Sequence, residues 1–341
     1  MKAARLLIRC LVDPRAAASL SASEWTALLT CARAEQMIGS LADRLDGLDV
    51  PPVVAAILQD ARANAVFQRR QALWEAQMCR RVLAPLDIPF VLLKGTAFVA
   101  ADLAAGRGRS IGDLDILVPR VLLDHAEAAL LAAGWEWVKP DPYDDLYYRR
   151  WMHELPPLIH RERDRMIDVH HTILPLTARP RPDAGALIAA SRALPAGLRV
   201  LAAHDMVVHA AAHLLADGDL AGGLRNLWDI DRLVREHRTP AFWIALAVSA
   251  RRDGLEEAVA RALRLARTLF KTQVDPVLAG RDRFSDHLFV ARLLARDDWG
   301  RARNPALRLA FYIRSHWLRM PPAMLVRHLW IKARRPGTSG A

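Results

Sequence analysis

The stretch FVLLKGTAFVAADLAAGRGRSIGDLDILV, residues 90–118, decides how the chain is read. Its first piece, Phe90-Val91-Leu92-Leu93, is a short apolar run bounded by Pro89 and Gly95, the pattern of a buried strand. Gly95-Thr96 then opens a small-residue segment over 97–105 that predicts a short helix. The glycine lets backbone approach a ligand closely, and a helix N-terminus offers unpaired N–H groups to phosphate. A loop carrying Arg107 and Arg109 leads into Asp113-Leu114-Asp115-Ile116-Leu117-Val118. In a strand, that alternation puts Asp113 and Asp115 on one face and Leu114 and Ile116 on the other. Two carboxylates beside a glycine-started helix suit a divalent cation holding a nucleoside triphosphate.

A third acid stands in the same setting downstream. Met166-Ile167-Asp168-Val169-His170 again reads apolar, acid, apolar, after the charged turn Arg161-Glu162-Arg163-Asp164-Arg165. Residues 155–160 and 166–171 predict a hairpin, with Pro156 and Pro157 required to sit at an edge. A strand, a Gly-Thr turn into a helix, Asp-x-Asp on a second strand and a lone acid on a later one resemble the DNA-polymerase-β-like nucleotidyltransferase superfamily. Leu92-Leu93-Lys94-Gly95, Arg109 ahead of Asp113-x-Asp115-x-Leu117-Val118, and Asp168-x-His170 are similar to a bacterial family of uncharacterised nucleotidyltransferases. The similarity continues through the His-rich stretch 201–214 and Leu224-Arg225-Asn226-Leu227-Trp228-Asp229-Ile230, and so spans roughly 25–269. The phosphate turn departs from the superfamily, which commonly carries Gly-Gly or Gly-Ser where this chain has Lys94-Gly95-Thr96.

The resemblance implies an α+β fold: a polymerase-β-like core of a small mixed sheet with helices, N-terminal helices, and an α-helical C-terminal domain. The expected division is a helical layer over 1–84, the core over 85–175, the helical domain over 176–335 and a disordered tail over 336–341. It also implies roles. Asp113, Asp115 and Asp168 would be catalytic and bind two Mg2+ ions, Asp168 also serving as base toward the acceptor hydroxyl. Gly95 and Thr96 would contact the β- and γ-phosphates, and Arg109 would clamp the triphosphate. Lys94 either joins that clamp or acts as counter-ion to the carboxylates. The reaction would move a nucleoside monophosphate from an NTP, ATP by default, to an acceptor hydroxyl with release of pyrophosphate. The acceptor class stays open among a small molecule, a protein or peptide side chain, and an RNA end. Two alternatives remain: a non-catalytic nucleotide-binding partner in a biosynthetic assembly, and a metal-dependent glycosyltransferase. The second accounts for Asp-x-Asp but not for Gly95-Thr96 or Asp168.

The remaining chain sets bounds on this reading. With 341 residues, 52% hydrophobic and 25% charged, the composition supports a substantial core and is not that of a disordered protein. The net charge of +11 is almost all arginine, dispersed and interleaved with acids, so specific DNA binding is not expected. Cys10, Cys31 and Cys79 are odd in number and widely spaced, which argues against a zinc site or disulfide framework and for a reducing, cytoplasmic setting. Residues 1–12 predict a helix, Arg9 interrupting any signal-peptide core, and no run is apolar enough to span a membrane.

Ser21-Ala22-Ser23-Glu24 is a capping box for a helix to about Arg33, and Pro51-Pro52 precedes a long helical pattern to about Leu83. A helix over 120–133 stopped by Gly134, then a strand over 135–138, complete the core pattern, while 141–150 carries no assignable signal. Beyond Pro175 the strand signals disappear and helices are expected over 203–216, 223–235, 240–250 and 255–270. His209 and His213 share one helix face, read as a buried pair against Asp229 in preference to zinc ligands, since Ala210 stands at the metalloprotease glutamate position. His170 shares the face of Asp168 and either borders the acceptor site or only lines solvent. The pattern over 307–332 sets Trp317 and Leu318 among arginines, suiting core packing, docking of a partner, or peripheral contact with a membrane surface.

Overall fold

A computed structural model describes residues 2–139 and 142–319, without the side chains of 142–144 and 217. The N-terminal layer is helical: α1 (Lys2–Val12), α2 (Ala22–Ala34), α3 (Ile38–Arg44) and α4 (Pro52–Leu83). The capping box at Ser21 and Glu24 is formed in both directions, which fixes where α2 starts. Pro52 stands in the first turn of α4, where its missing N–H costs nothing.

The core follows. β1 (Val91–Leu92) runs into α5 (Lys94–Ala100), and a tight turn at Ala104–Gly106 leads to β2 (Asp113–Leu117). The predicted helix over 97–105 thus begins earlier and stops sooner, because the chain turns again after Ala100. Then come α6 (Leu123–Ala132), β3 (Trp135–Trp137), α7 (Pro142–Trp151), β4 (Leu158–His160) and β5 (Met166–His170). The helix α7 occupies the acidic, tyrosine-rich segment that carried no assignable signal.

The sheet does not end at Pro175. After α8 (Ala184–Ala189), β6 (Arg192–Ala193) and β7 (Arg199–Val200) add two short strands, giving the order β3-β4-β5-β2-β1-β7-β6. This corrects the expectation that strands cease there. Two-residue strands carry too few alternating positions to be read as such. β7 pairs parallel to β1 at Leu92 and Val200, on the side of β1 that β2 leaves open. The hairpin of β4 and β5 forms as expected, but β4 is an inner strand, flanked by β3. Pro156 and Pro157 lie just before it.

The helical half comprises α9 (Ala203–Ala211), α10 (Gly223–His237), α11 (Pro240–Arg252), α12 (Glu256–Phe270), α13 (Pro276–Ala279), α14 (Asp286–Leu293) and α15 (Pro305–Arg319). A π-helical turn at Ala212–Asp217 continues α9. One apolar core runs unbroken from Leu7 and Leu28 through Leu92 and Ile116 to Leu227 and Phe270. Helical layer, sheet and helical half therefore stabilise one another through shared burial. The tail over 336–341 and most of the basic pattern beyond Trp317 lie outside the described residues. Among those described, no helix is long and apolar enough to cross a membrane.

Two helices, α3 and α4, pin the loop between α5 and β2 through three contacts. Gly108 adopts φ +62°, and a Cβ there would meet the Gly39 carbonyl oxygen at 2.2 Å, so α3 touches the loop backbone directly. Ser40 Oγ donates to the Arg107 carbonyl at 3.1 Å, and Ile111 N–H donates to Gln68 of α4 at 3.1 Å. The next residue along from Gly108 is Arg109, whose guanidinium is thereby delivered to the site.

Candidate active site

The acids meet because β2 and β5 pair in parallel with Asp115 opposite Asp168. Asp113, two residues back, shares their face by the pleat. One carboxylate oxygen from each of Asp113, Asp115 and Asp168 lies within 4.8 Å of the other two. An antiparallel partner on the other side of β2 supplies the rest. The Leu93 N–H bonds the Asp115 carbonyl at 3.0 Å, and the chain then turns sharply at Lys94, which adopts φ +48°. That left-handed conformation is unfavourable for a lysine. It returns the side chain over β2, where Nζ donates to Asp115 Oδ1 at 2.6 Å.

His170 contacts the same Oδ1 through Nε2 at 3.0 Å. Asp115 Oδ2 stays outside both bonds. Although burial works against its charge, Lys94 and His170 hold the Asp115 carboxyl well below the usual carboxylate range. Burial likewise disfavours the Lys94 ammonium, yet Asp115 more than offsets it and raises that pKa. The other two acids behave oppositely. Burial, then the Asp115 charge, raises Asp113. Burial, then Asp115 and Glu154, pushes Asp168 up to about 7. Asp168 Oδ1 is buried without a hydrogen-bond partner. A carboxylate trio with an orphaned oxygen and surplus negative charge fits the all-oxygen coordination of a hard divalent cation.

Beside the trio stands the Lys94-Gly95-Thr96 turn. Thr96 is 1% exposed and its Oγ1 has no hydrogen-bond partner among the described residues. Arg109 packs on the turn: a Cβ added to Gly95 would meet its Nε at 2.8 Å, and its guanidinium lies 5.7 Å from the Phe98 ring centroid. Arg109 is also ion-paired, Nη1 lying 2.8 Å from Asp229 Oδ2 on α10. Asp229 approaches Arg225 as well, at 3.4 Å, and Arg225 reaches back to Ser40 Oγ at 2.7 Å.

Asp229, expected to face the histidine pair, is engaged by two arginines. His209 is buried and His213 half-buried, and both feel the charges of Lys94 and Asp115. Burial, then the charge of Lys94, lowers both, His213 to about 3, while Asp115 opposes the shift. Burial thus favours the neutral form of both rings.

Two functional candidates escaped the sequence reading. The segment before the proline pair folds alongside the end of β5: Leu155 N–H bonds the Val169 carbonyl and His171 N–H bonds the His153 carbonyl, both at 2.9 Å. Pairing shifts from Ile159 opposite Met166 to Glu154 opposite His170, a slip of one residue across Pro156 and Pro157. Glu154 Oε2 consequently lies 3.2 Å from His170 Nδ1 and 3.7 Å from His153 Nε2. Starting the hairpin at Leu155 cut these residues off. Extending it past the prolines on the strength of His153-Glu154 would have found them.

A parallel strand pair presenting three acids, beside a glycine turn and a lysine, defines the site of a nucleotidyltransferase-type α+β protein. The profile of the uncharacterised nucleotidyltransferase family matches residues 21–271, well over half of the chain, and the protein belongs to that family. No curated protein matches it.

Proposed function

We propose that this protein transfers a nucleoside monophosphate from an NTP, ATP by default, to an acceptor hydroxyl, releasing pyrophosphate. The observation that carries the reading is the convergence of Asp113, Asp115 and Asp168, with oxygens within 4.8 Å, from strands over fifty residues apart. Family membership supports the reaction class. The non-catalytic alternative requires a broken acid set, and all three acids are present.

Asp113 and Asp115 would hold two Mg2+ ions jointly, with Asp168 completing the one nearer the acceptor. When bound, such ions supply charge neutralisation at the attacking and leaving oxygens. The chain's own groups divide the remaining work. Lys94 and His170 fix the Asp115 carboxylate by its Oδ1, so that Oδ2 is presented to the cleft. Gly95 admits the triphosphate close to backbone, and the unpartnered Thr96 hydroxyl is available to its β- or γ-phosphate. Arg109, tethered by Asp229, holds a planar array of N–H donors against Gly95, suited to phosphate oxygens. Lys94 is assigned the counter-ion role in preference to the clamp, since Asp115 engages it.

Asp168 accepts the acceptor's proton at a carboxylate oxygen. The acceptor oxygen bonds to the α-phosphorus, the bond from that phosphorus to the α–β bridging oxygen breaks, and pyrophosphate departs with the electron pair. Incubation with each α-labelled NTP and Mg2+ in cell extract tests the proposal. Label should pass to a macromolecule or metabolite while label at the γ-position appears only in pyrophosphate. Transfer of γ-label to the acceptor, or no transfer from any NTP, would refute it.

A further inference from the structure

The geometry points to a second cation site in this protein, built from His153, Glu154 and His170 and suited to a divalent transition metal such as Zn2+. One donor atom from each residue lies within 4.8 Å of the other two. The Glu154 Oε2 contacts, 3.2 Å to His170 Nδ1 and 3.7 Å to His153 Nε2, bracket the roughly 3.3 Å between ligand atoms of a tetrahedral ion with bonds near 2.0–2.1 Å. A second observation, independent of the spacing, is the state of the rings. His170 is 1% exposed, and its Nδ1 has no hydrogen bond despite the nearby carboxylate, so the two atoms are close without being aligned as donor and acceptor. His153 is 9% exposed, so its ring is withdrawn from solvent as well. The two imidazoles stack with centroids 5.2 Å apart, which holds both beside Glu154.

The far side of His170 suits the assignment. A metal-bound imidazole characteristically donates its other N–H to a carboxylate, which fixes tautomer and orientation. Here Nε2 faces Asp115 Oδ1 at 3.0 Å, leaving Nδ1 with the lone pair toward Glu154. Two histidines and one glutamate favour a borderline metal over Mg2+, which prefers oxygen ligands alone. The surroundings also suit a cation: Lys94 pairs with Asp115, and Glu154 stands on the opposite side of His170 from that pair. The metal would act as a positioning element: it neutralises Glu154 and locks His170 against Asp115. None of this requires nucleotidyl transfer to be the activity.

The test uses full-length protein stripped with a chelator and titrated with Co2+ in the presence of excess Mg2+. One equivalent should bind with the visible ligand-field bands of a tetrahedral, nitrogen-ligated ion, and Zn2+ should displace it. An Asp113→Asn/Asp168→Asn double variant should keep that signal. His153→Ala and Glu154→Gln should each weaken binding at least about tenfold, and the near-isosteric Glu154→Gln carries the test if His153→Ala fails to fold. The proposal is overturned if no cobalt binds, if Mg2+ or the double aspartate variant removes it, or if binding survives in Glu154→Gln.

Discussion

Asp115 and Asp168 stand directly opposite each other on neighbouring parallel strands, one strongly held as carboxylate and the other pushed toward neutrality. The difference comes from their partners. Asp115 has Lys94 and His170 on one oxygen, whereas Asp168 faces Asp115 and Glu154 with its Oδ1 unpartnered. In the absence of a cation this is a repulsive arrangement, retained in a protein that could have relieved it with an amide.

Asp168→Asn should therefore separate stability from activity. Removing the uncompensated charge should raise the unfolding free energy of the cation-free protein at pH 8 by about 1–3 kcal/mol. The same change should lower nucleotidyl transfer at least about a hundredfold, the scale for losing one preorganised electrostatic group. Denaturant titration and label transfer on one preparation give both readings. A less stable variant would show that Asp168 is satisfied in the native protein.

Stability should also respond to pH in a defined sense. Folded Asp168 keeps its proton up to about 7, while the unfolded chain releases it near the ordinary value of about 3.9. Between those limits the native state binds more protons, so its stability falls as pH rises, by at most about 1.4 kcal/mol per pH unit. Mg2+ binds the deprotonated trio and should shrink that fall, so its stabilising effect grows with pH. Thermal melts from pH 4 to 8, with and without Mg2+, measure it. Asp168→Asn should flatten the cation-free profile.

Asp115→Asn should behave with the opposite sign in stability. It strips the partner from Lys94, a charge-assisted bond of 2.6 Å, and should cost about 1.5–3 kcal/mol together with transfer. A variant as stable as the parent, yet inactive, would mean that Lys94 finds another partner.

How much of this could be read in the sequence follows from the range of each signal. Asp113, Asp115 and Asp168 were legible because each sits in a local apolar-acid-apolar run whose two-residue period survives folding. The long helix α4 and the capped α2 were legible for the same reason, their proline and capping box lying within a few residues of the start. What was hidden depends on pairing between distant segments. β6 and β7 are two residues each and are strands only because β1 offers Leu92 to Val200. His153 and Glu154 reach the site through a one-residue slip at Pro156 and Pro157, which no local pattern encodes. Asp229 was read as a histidine partner because both lie in the helical half, whereas Arg109 claims it from a loop 120 positions earlier.

That last contact should matter to the whole molecule. Asp229 is 2% exposed and joins Arg109 of the loop before β2, Arg225 of α10 and, through Arg225, Ser40 of the N-terminal layer. Asp229→Asn keeps the volume and removes the charge, leaving two buried guanidiniums uncompensated. The expected loss is about 3–5 kcal/mol in denaturant unfolding. A change below about 1 kcal/mol would show that the arginines are solvated instead of paired.

The central claim is that Asp113, Asp115 and Asp168 form one cation site at which an NTP is held. Crystals grown with Mn2+ and an α,β-methylene nucleoside triphosphate test it most directly, through the anomalous signal of the manganese. The account predicts an anomalous peak within about 2.6 Å of oxygens from all three aspartates, with the triphosphate beside Gly95 and Thr96. The absence of any peak that includes Asp168, or a nucleotide bound away from the Lys94-Gly95-Thr96 turn, would contradict it.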